Sequence, residues 1–162
     1  MSGGTIIYLS LGSNLGDRAA NLERAIEALP AAGVRVLRRS GMYETEPVDF
    51  LDQPWFLNCV VEGETLLRPD QLLGALQSIE RQQGSRKLIA RGPRLLDMDI
   101  LFYGESVMHT ESVDIPHPRM AGRRFVLVPL AELAPAHRHP VLRATVAELL
   151  AATRDTSIVR PL

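Results

Sequence analysis

Three features of the sequence predict an α+β fold. Apolar, strand-like runs lie at residues 5–11, 34–43, 56–66 and 96–102, two amphipathic helical stretches are set between them, and glycine or proline marks the joins. In chain order these segments read βαββαβ. That order predicts a ferredoxin-like core with an antiparallel sheet, followed by an extra hairpin strand and a C-terminal helical section.

The first run, TIIYLSL at 5–11, suits a buried strand, and GSNLG at 12–16 turns the chain after it. Asp17 can start a helix whose inward stripe is Leu22, Ile26 and Leu29, closed near Pro30 and Gly33. Strands at 34–43 and 56–66 follow, joined by the irregular segment 44–55. Pro69 fits the first turn of a second helix, with Leu72, Leu73, Leu76 and Ile79 inward and Gly84 at its end. The basic stretch 85–93 then leads into the acidic strand, whose alternating face runs over 96–102. A hairpin strand at 106–109 is expected after the turn at Gly104 and Glu105, with a helical or irregular section beyond Pro116. Thr145 and Glu148 form a capping box ahead of a last helix.

At 162 residues the chain is expected to be one domain, residues 1–162, with a core of its own. Its 46% hydrophobic and 23% charged residues fit an ordinary globular protein, and a net charge of −1 argues against a general nucleic-acid binder. The single cysteine, Cys59 in the run FLNCVV, allows no internal disulfide and suits a buried, inert thiol. No apolar run approaches membrane-spanning length and no basic-then-apolar leader opens the chain, so a cytoplasmic protein without a membrane partner is expected. Among the 18 basic residues only Lys87 is lysine. It stands in SRKL, which excludes a Gly-Lys-Ser/Thr phosphate loop and leaves phosphate binding mainly to arginine forks.

The stretch GPRLLDMDILFYG at 92–104 carries the most chemistry. Strict strand alternation puts Leu96, Met98, Ile100 and Phe102 on one apolar face and Asp97 with Asp99 on the other, about 6–7 Å apart. Two half-buried carboxylates at that distance repel by roughly 2–3 kcal/mol at an effective dielectric of about 20. A counterion relieves this, and Mg²⁺ bridging to substrate phosphates is a natural one. Taken alone, the motif is equally an ordinary strand with two acids facing water.

Its surroundings shift the balance. Arg81, Arg86, Lys87, Arg91 and Arg94 form a run of cations without an acid, which by itself describes a solvated loop. Because it leads into the paired aspartates, cations for a polyphosphate lie beside acids for its metal, the makings of a phosphoryl-transfer site. Gln77 and Glu80, one turn apart on the second helix, can face the same cleft. His117 has its backbone fixed by prolines on both sides and belongs to a second cationic cluster with Arg119, Arg123 and Arg124. His137 and His139 lack a third ligand at zinc spacing and read as a surface pair. The segment ETEPVDFLDQPWFLN at 44–58 is too rich in prolines and aromatics for a routine connection. In it Phe56 and Asn58 share a strand face, either a platform and amide for a flat heterocycle or a core ring with an incidental amide. GSNLG is a plain turn unless its amides face an anion.

In this order, YLSLGSNLGDR, YETEPV, QPWFLN, GPRLLDMDILFYG, IPHPRM and RRFVLVPLAELAP resemble the 6-hydroxymethyl-7,8-dihydropterin pyrophosphokinases of folate biosynthesis. The resemblance spans nearly the whole chain. It implies transfer of the β,γ-pyrophosphate of ATP to the pterin hydroxymethyl group, releasing AMP, with two Mg²⁺ ions. By position it implies Asp97 and Asp99 as ligands of both ions. Arg94, Arg91 and Arg86 or Lys87 correspond to the cations on the triphosphate. His117 and Arg123 correspond to phosphate contacts, and Leu73, Gln77 and Ile100 to the ATP site. The pterin would lie between Phe56 and Phe125, its edge read by Asn58 and the backbone of residues 45–48, including Thr45 and Val48, with Gly12 close by. A monomer acting on these two small molecules is expected. Two departures stand out: Arg91 where members often carry tryptophan, and Pro118 where many have an aromatic residue.

Two other functions use parts of the same pattern. Palm-type nucleotidyl transferases also place paired acids on such a sheet with two metals, but release pyrophosphate. RNA-binding modules stack bases on sheet aromatics. Here the expected aromatic pattern is absent, and aromatics make up only 5% of the chain.

Overall fold

The computed structural model describes residues 3–48, 51–84 and 93–162. Arg86, Lys87 and Arg91 therefore lie outside the described residues. In chain order the elements are β1 (Thr5–Ser13), α1 (Arg18–Ala28), β2 (Val34–Arg39), β3 (Tyr43–Thr45), β4 (Phe56–Thr65), α2 (Pro69–Gln82), β5 (Asp97–Tyr103), β6 (Met108–His109), β7 (Asp114–Ile115), α3 (Arg124–Leu133), α4 (Val146–Ala152) and β8 (Val159–Pro161). The main sheet runs β5-β1-β4-β3-β8, with β2 also paired to β4, and its strand pairs are antiparallel.

Local signals explain the helices. Asp17 caps α1 by accepting from the Ala20 amide at 3.1 Å, and Leu22 and Ile26 are buried as the stripe requires. Pro69 opens α2, which buries Leu72, Leu76 and Ile79, and Gly84 beyond it takes a left-handed φ of 79°. Thr145 and Glu148 cap α4 reciprocally.

Two cores form, one on each face of the sheet. α1 and α2 pack on Ile7, Leu9, Leu11, Cys59, Met98 and Ile100. α3 and α4 cover Tyr8, Val60, Leu101 and Phe102. Burial pushes the Cys59 thiol up to about 12, in keeping with an inert cysteine.

Four expectations are corrected. The strand at 34–43 breaks into β2 and β3, because Ser40 turns inward and bonds the Val60 backbone through its amide and hydroxyl. The alternation of β5 does not run through to Phe102. Tyr8 pairs with Phe102 and Leu9 with Ile100, so Leu101 is an extra, bulged residue that shifts Phe102 to the aspartate face and turns Tyr103 toward the opposite core. The expected strand at 106–109 is shortened to β6, which pairs with β7 rather than β5 in a small separate sheet. His137 and His139 are not a surface pair: His139 is 6% exposed and accepts from the Val141 and Leu142 amides, and both rings pack on Phe102.

Candidate active site

Helices α3 and α4 cover only part of their face of the sheet. Past Tyr8, β1 carries Ser10 and Gly12, too small to fill the space above them. A cavity of about 570 Å³ opens there. β1 pairs Ser10 with Asp99 and Gly12 with Asp97 on one side, and Gly12 with Asn58 on the other. Side chains on these positions therefore point the same way, and both aspartates, half-buried, line the cavity.

Each wall has its own supports. Glu80 of α2 accepts from the Met98 amide at 2.7 Å, fixing the backbone between the two acids. Arg94, 6% exposed, is held through its main chain: its amide donates to Asn14 Oδ1 at 2.7 Å and its carbonyl accepts from the Asn14 amide at 2.9 Å. The Asn14 side chain also donates to Gln53 Oε1 and the Pro54 carbonyl, both at 2.9 Å, so one buried asparagine joins the cationic wall to the 51–55 segment. On the facing wall the Thr45 hydroxyl donates to Asn58 Oδ1 at 2.6 Å, and Asn58 Nδ2 donates to the Leu11 carbonyl at 3.3 Å. A Cβ on Gly12 would stand 2.6 Å from Asn58 Nδ2, so glycine there is what lets the amide lie flat across β1.

His117 follows a cis Ile115–Pro116 bond, and its amide donates to the carbonyl of the bulge residue Leu101 at 3.0 Å. Its Nδ1 accepts from the Arg119 amide at 3.1 Å, which leaves the ring proton on Nε2. Burial first, then Arg123 and Arg119, lowers its pKa to about 4, so the ring is neutral at pH 7. The Arg123 guanidinium lies 5.5 Å from the Phe125 ring centroid, a cation–π contact at the cavity wall.

Eleven of the residues singled out in the sequence line this cavity together: Gly12, Thr45, Val48, Phe56, Asn58, Arg94, Asp97, Asp99, His117, Arg123 and Phe125. Three do not. Leu73 is half-buried against the α1/α2 core, Gln77 is exposed on α2, and Ile100 faces the α1/α2 core at 8% exposure. Glu80 is turned to the β5 backbone instead of the cavity. Sequence reasoning missed Ser10 and Gln53 as lining residues and Asn14 as a support, and named Arg119 only as a member of the second cationic cluster. Ser10 was findable, being two residues from Gly12 on one strand face. Gln53 and Arg119 occupy irregular segments, where no periodicity marks direction.

The donor set suits a hard divalent cation. Two carboxylates at i and i+2 on a braced strand offer oxygen ligands and leave coordination positions for water and phosphate. Acids and cations on one wall, facing a ring and a fixed amide on the other, define a site for a polyanionic ligand beside a flat polar one.

The model of the 7,8-dihydro-6-hydroxymethylpterin-pyrophosphokinase (HPPK) family matches residues 8–135, and the chain belongs to that family. The 2-amino-4-hydroxy-6-hydroxymethyldihydropteridine pyrophosphokinase of Bacillus subtilis is 46% identical over 129 residues, covering 79% of this chain and 77% of the relative. The folic acid synthesis protein fol1 of Pneumocystis carinii is 46% identical over 141 residues, 87% of this chain but 19% of the relative. This chain spans about a fifth to a quarter of the length of the fungal and plant relatives it matches first. In fold it is similar to the crystal structure of Plasmodium falciparum HPPK-DHPS with pterin and p-hydroxybenzoate, with a TM-score of 0.72 at 17% identity over 93% of this chain and 44% of that one. Among the described residues, no helix is long and apolar enough to cross a membrane.

Proposed function

We propose that this chain transfers the β,γ-pyrophosphate of ATP to the hydroxymethyl group of 6-hydroxymethyl-7,8-dihydropterin, yielding the pterin diphosphate and AMP for folate biosynthesis. The pterin hydroxyl oxygen attacks the β-phosphorus, the bond from that phosphorus to the α,β-bridging oxygen breaks, and the hydroxyl proton is released. The observation that carries the reading is that Asp97 and Asp99 open into the same cavity as Phe56, Asn58 and Phe125.

Asp97 and Asp99 would hold two Mg²⁺ ions, which supply charge neutralisation and alignment of the triphosphate. Arg94 and Arg123 place guanidinium forks on the same polyanion, and neutral His117 donates through Nε2 to a phosphate oxygen. Arg91 and Arg86 or Lys87 are proposed as further triphosphate cations. Leu73, Gln77 and Ile100, on α2 and β5, are the candidates for the nucleotide end that extends past the cavity. Away from the acids, Phe56 and Phe125 stack on opposite faces of the pterin ring. Asn58, oriented by Thr45, reads its edge together with the 45–48 backbone, and Gly12 admits the ring close to β1.

The strand order, β5-β1-β4 with β2 and β3 beyond, supports the ferredoxin-like reading of the core. The reading extends to a single-domain, cytoplasmic monomer that acts on two small molecules. Incubation with ATP, Mg²⁺ and the hydroxymethyl pterin is expected to give AMP and pterin diphosphate in equal amounts. Release of inorganic pyrophosphate instead would favour nucleotidyl transfer and sink this assignment.

A further inference from the structure

The segment after α4 lies outside the family match, which ends at residue 135, yet it is bonded to the frame of the cavity on both sides. On one side β8 pairs with β3, Val159 opposite Thr45 and Arg160 opposite Glu44. Just beyond, the Glu46 amide donates to the Ile158 carbonyl and the Ile158 amide donates to Glu46 Oε1, both at 3.0 Å. Arg160 Nη2 lies 2.8 Å from Glu44 Oε1, and its guanidinium is 4.9 Å from the Trp55 ring centroid. Both ends of the 46–55 segment are thus fastened from the same strand.

On the other side the contacts reach α3. The Arg124 amide donates to Asp155 Oδ2 at 2.8 Å, and Arg124 Nη1 donates to the Ser157 carbonyl at 2.6 Å. The Ser157 amide donates to Asp155 Oδ1 at 2.9 Å, so both carboxylate oxygens are engaged. Arg124 stands between Arg123 and Phe125, which both line the cavity. Residues 155–160 therefore tie the Phe125 wall to the 45–48 wall.

Resting on the pterin reading above, we propose that residues 155–160 are a clasp that fixes the 45–48 segment, which reads the edge of the flat substrate, relative to Phe125, which stacks on its face, with Asp155 and Arg160 as positioning residues. Edge hydrogen bonds hold only while that backbone stays about 2.9 Å from the ring atoms it reads. β3 is only three residues long, and Thr45 opposite Phe56 is its last pair with β4, so the next amide, that of Glu46, is bonded by the clasp instead. Bonds from the clasp order the wall before the ligand arrives, and binding then costs less ordering entropy.

The test uses the full chain. In the ligand-free protein, hydrogen exchange of the Glu46 and Val48 amides is expected to quicken about tenfold in Asp155→Ala and in Arg160→Ala, as local opening becomes easier. With saturating ATP and Mg²⁺, the pterin KM rises by about the same factor, while kcat stays within about twofold and the ATP KM is unchanged. Arg160→Lys, which keeps the cation beside Glu44 and Trp55, recovers most of the effect. Thr156→Ala, an exposed change within the clasp, has none. A melting temperature within about 5 °C of wild type shows that the variants are folded. A wild-type chain that forms no AMP from the pterin overturns the function proposed above. A wild-type chain that does so, beside Asp155→Ala with unchanged exchange at the Glu46 and Val48 amides and unchanged pterin KM, overturns the clasp alone.

Discussion

One face of the sheet is built in two ways along its length. In the half beneath α3 and α4, Glu62 of β4 accepts from the Tyr8 hydroxyl at 2.5 Å and from Arg38 Nε at 2.8 Å, while Arg38 also donates to the Leu133 carbonyl at 2.7 Å. Burial first and then Glu62 push the Tyr8 hydroxyl up to about 12. Acid, phenol and guanidinium there serve one another. In the other half, β5, β1 and β4 present Asp97, Asp99, Asn58 and Phe56 to a cavity, over Ser10 and Gly12 rather than Tyr8. A large residue on the central strand is covered by helices, whereas small ones leave the acids beside them lining an open cavity. Residue size on β1, more than acid content, separates framework from site.

The sharpest break in this comparison comes from Asp97→Ala or Asp99→Ala. Either is expected to lower turnover by about 10³-fold or more, with the melting temperature little changed, because both carboxylates stand half-buried at the cavity and outside the core. Near-normal turnover at ordinary Mg²⁺ would refute it. Met98→Asp, between them but 5% exposed on the opposite face, should instead unfold the protein, since it buries an uncompensated charge.

Within the open half, Asn58→Leu should weaken pterin binding by about 1–3 kcal/mol, and by more than Phe56→Leu, because losing the amide strands polar ring groups while leucine keeps most of the apolar contact. Calorimetry on the two variants orders them directly. In the covered half, Glu62→Gln is expected to cost only about 1 kcal/mol of stability in denaturant titration and to leave turnover alone. A fall in turnover there would erase the distinction between the halves.

The smallest effect concerns His117. Its folded pKa of about 4 lies below the ordinary 6.5, so between those values the unfolded chain binds the proton and the native one does not. Its contribution to stability is therefore complete above about pH 6.5, is lost as pH falls toward 4, and changes no further below that. NMR titration of the ring should give a value near 4 without nucleotide and a higher one with it, as phosphate oxygens favour the cation.

Much of this was legible in the sequence because the signals are local. Asp17, Pro69 and the Thr145–Glu148 box mark helix starts with side chains that act within one turn. The walls of the cavity were legible because two-residue spacing sets direction on a strand, as with Asp97 and Asp99 or Phe56 and Asn58. The Leu101 bulge was hidden because leucine and phenylalanine side by side are apolar in either phase. β8 was hidden for a different reason: Val159–Pro161 is three residues long and owes its place to distant partners, Glu44 and Glu46. Gln77 lies on the helix the periodicity predicted but on its solvent side, which its neighbours in sequence did not reveal.

The bulge in β5 also governs how this site tolerates change. The carbonyl of Leu101 anchors His117, so the distance from the aspartates to the histidine is measured out in main-chain atoms. The Leu101 side chain is fully buried in the α3/α4 core, but it is not what sets that distance. The number of residues between Asp99 and Phe102 is: removing one is expected to restore a regular strand and take away the carbonyl that docks His117. The spacing of these cavity-lining groups is thus written in the count of the chain rather than in its chemistry, and an insertion or deletion there is expected to disturb it.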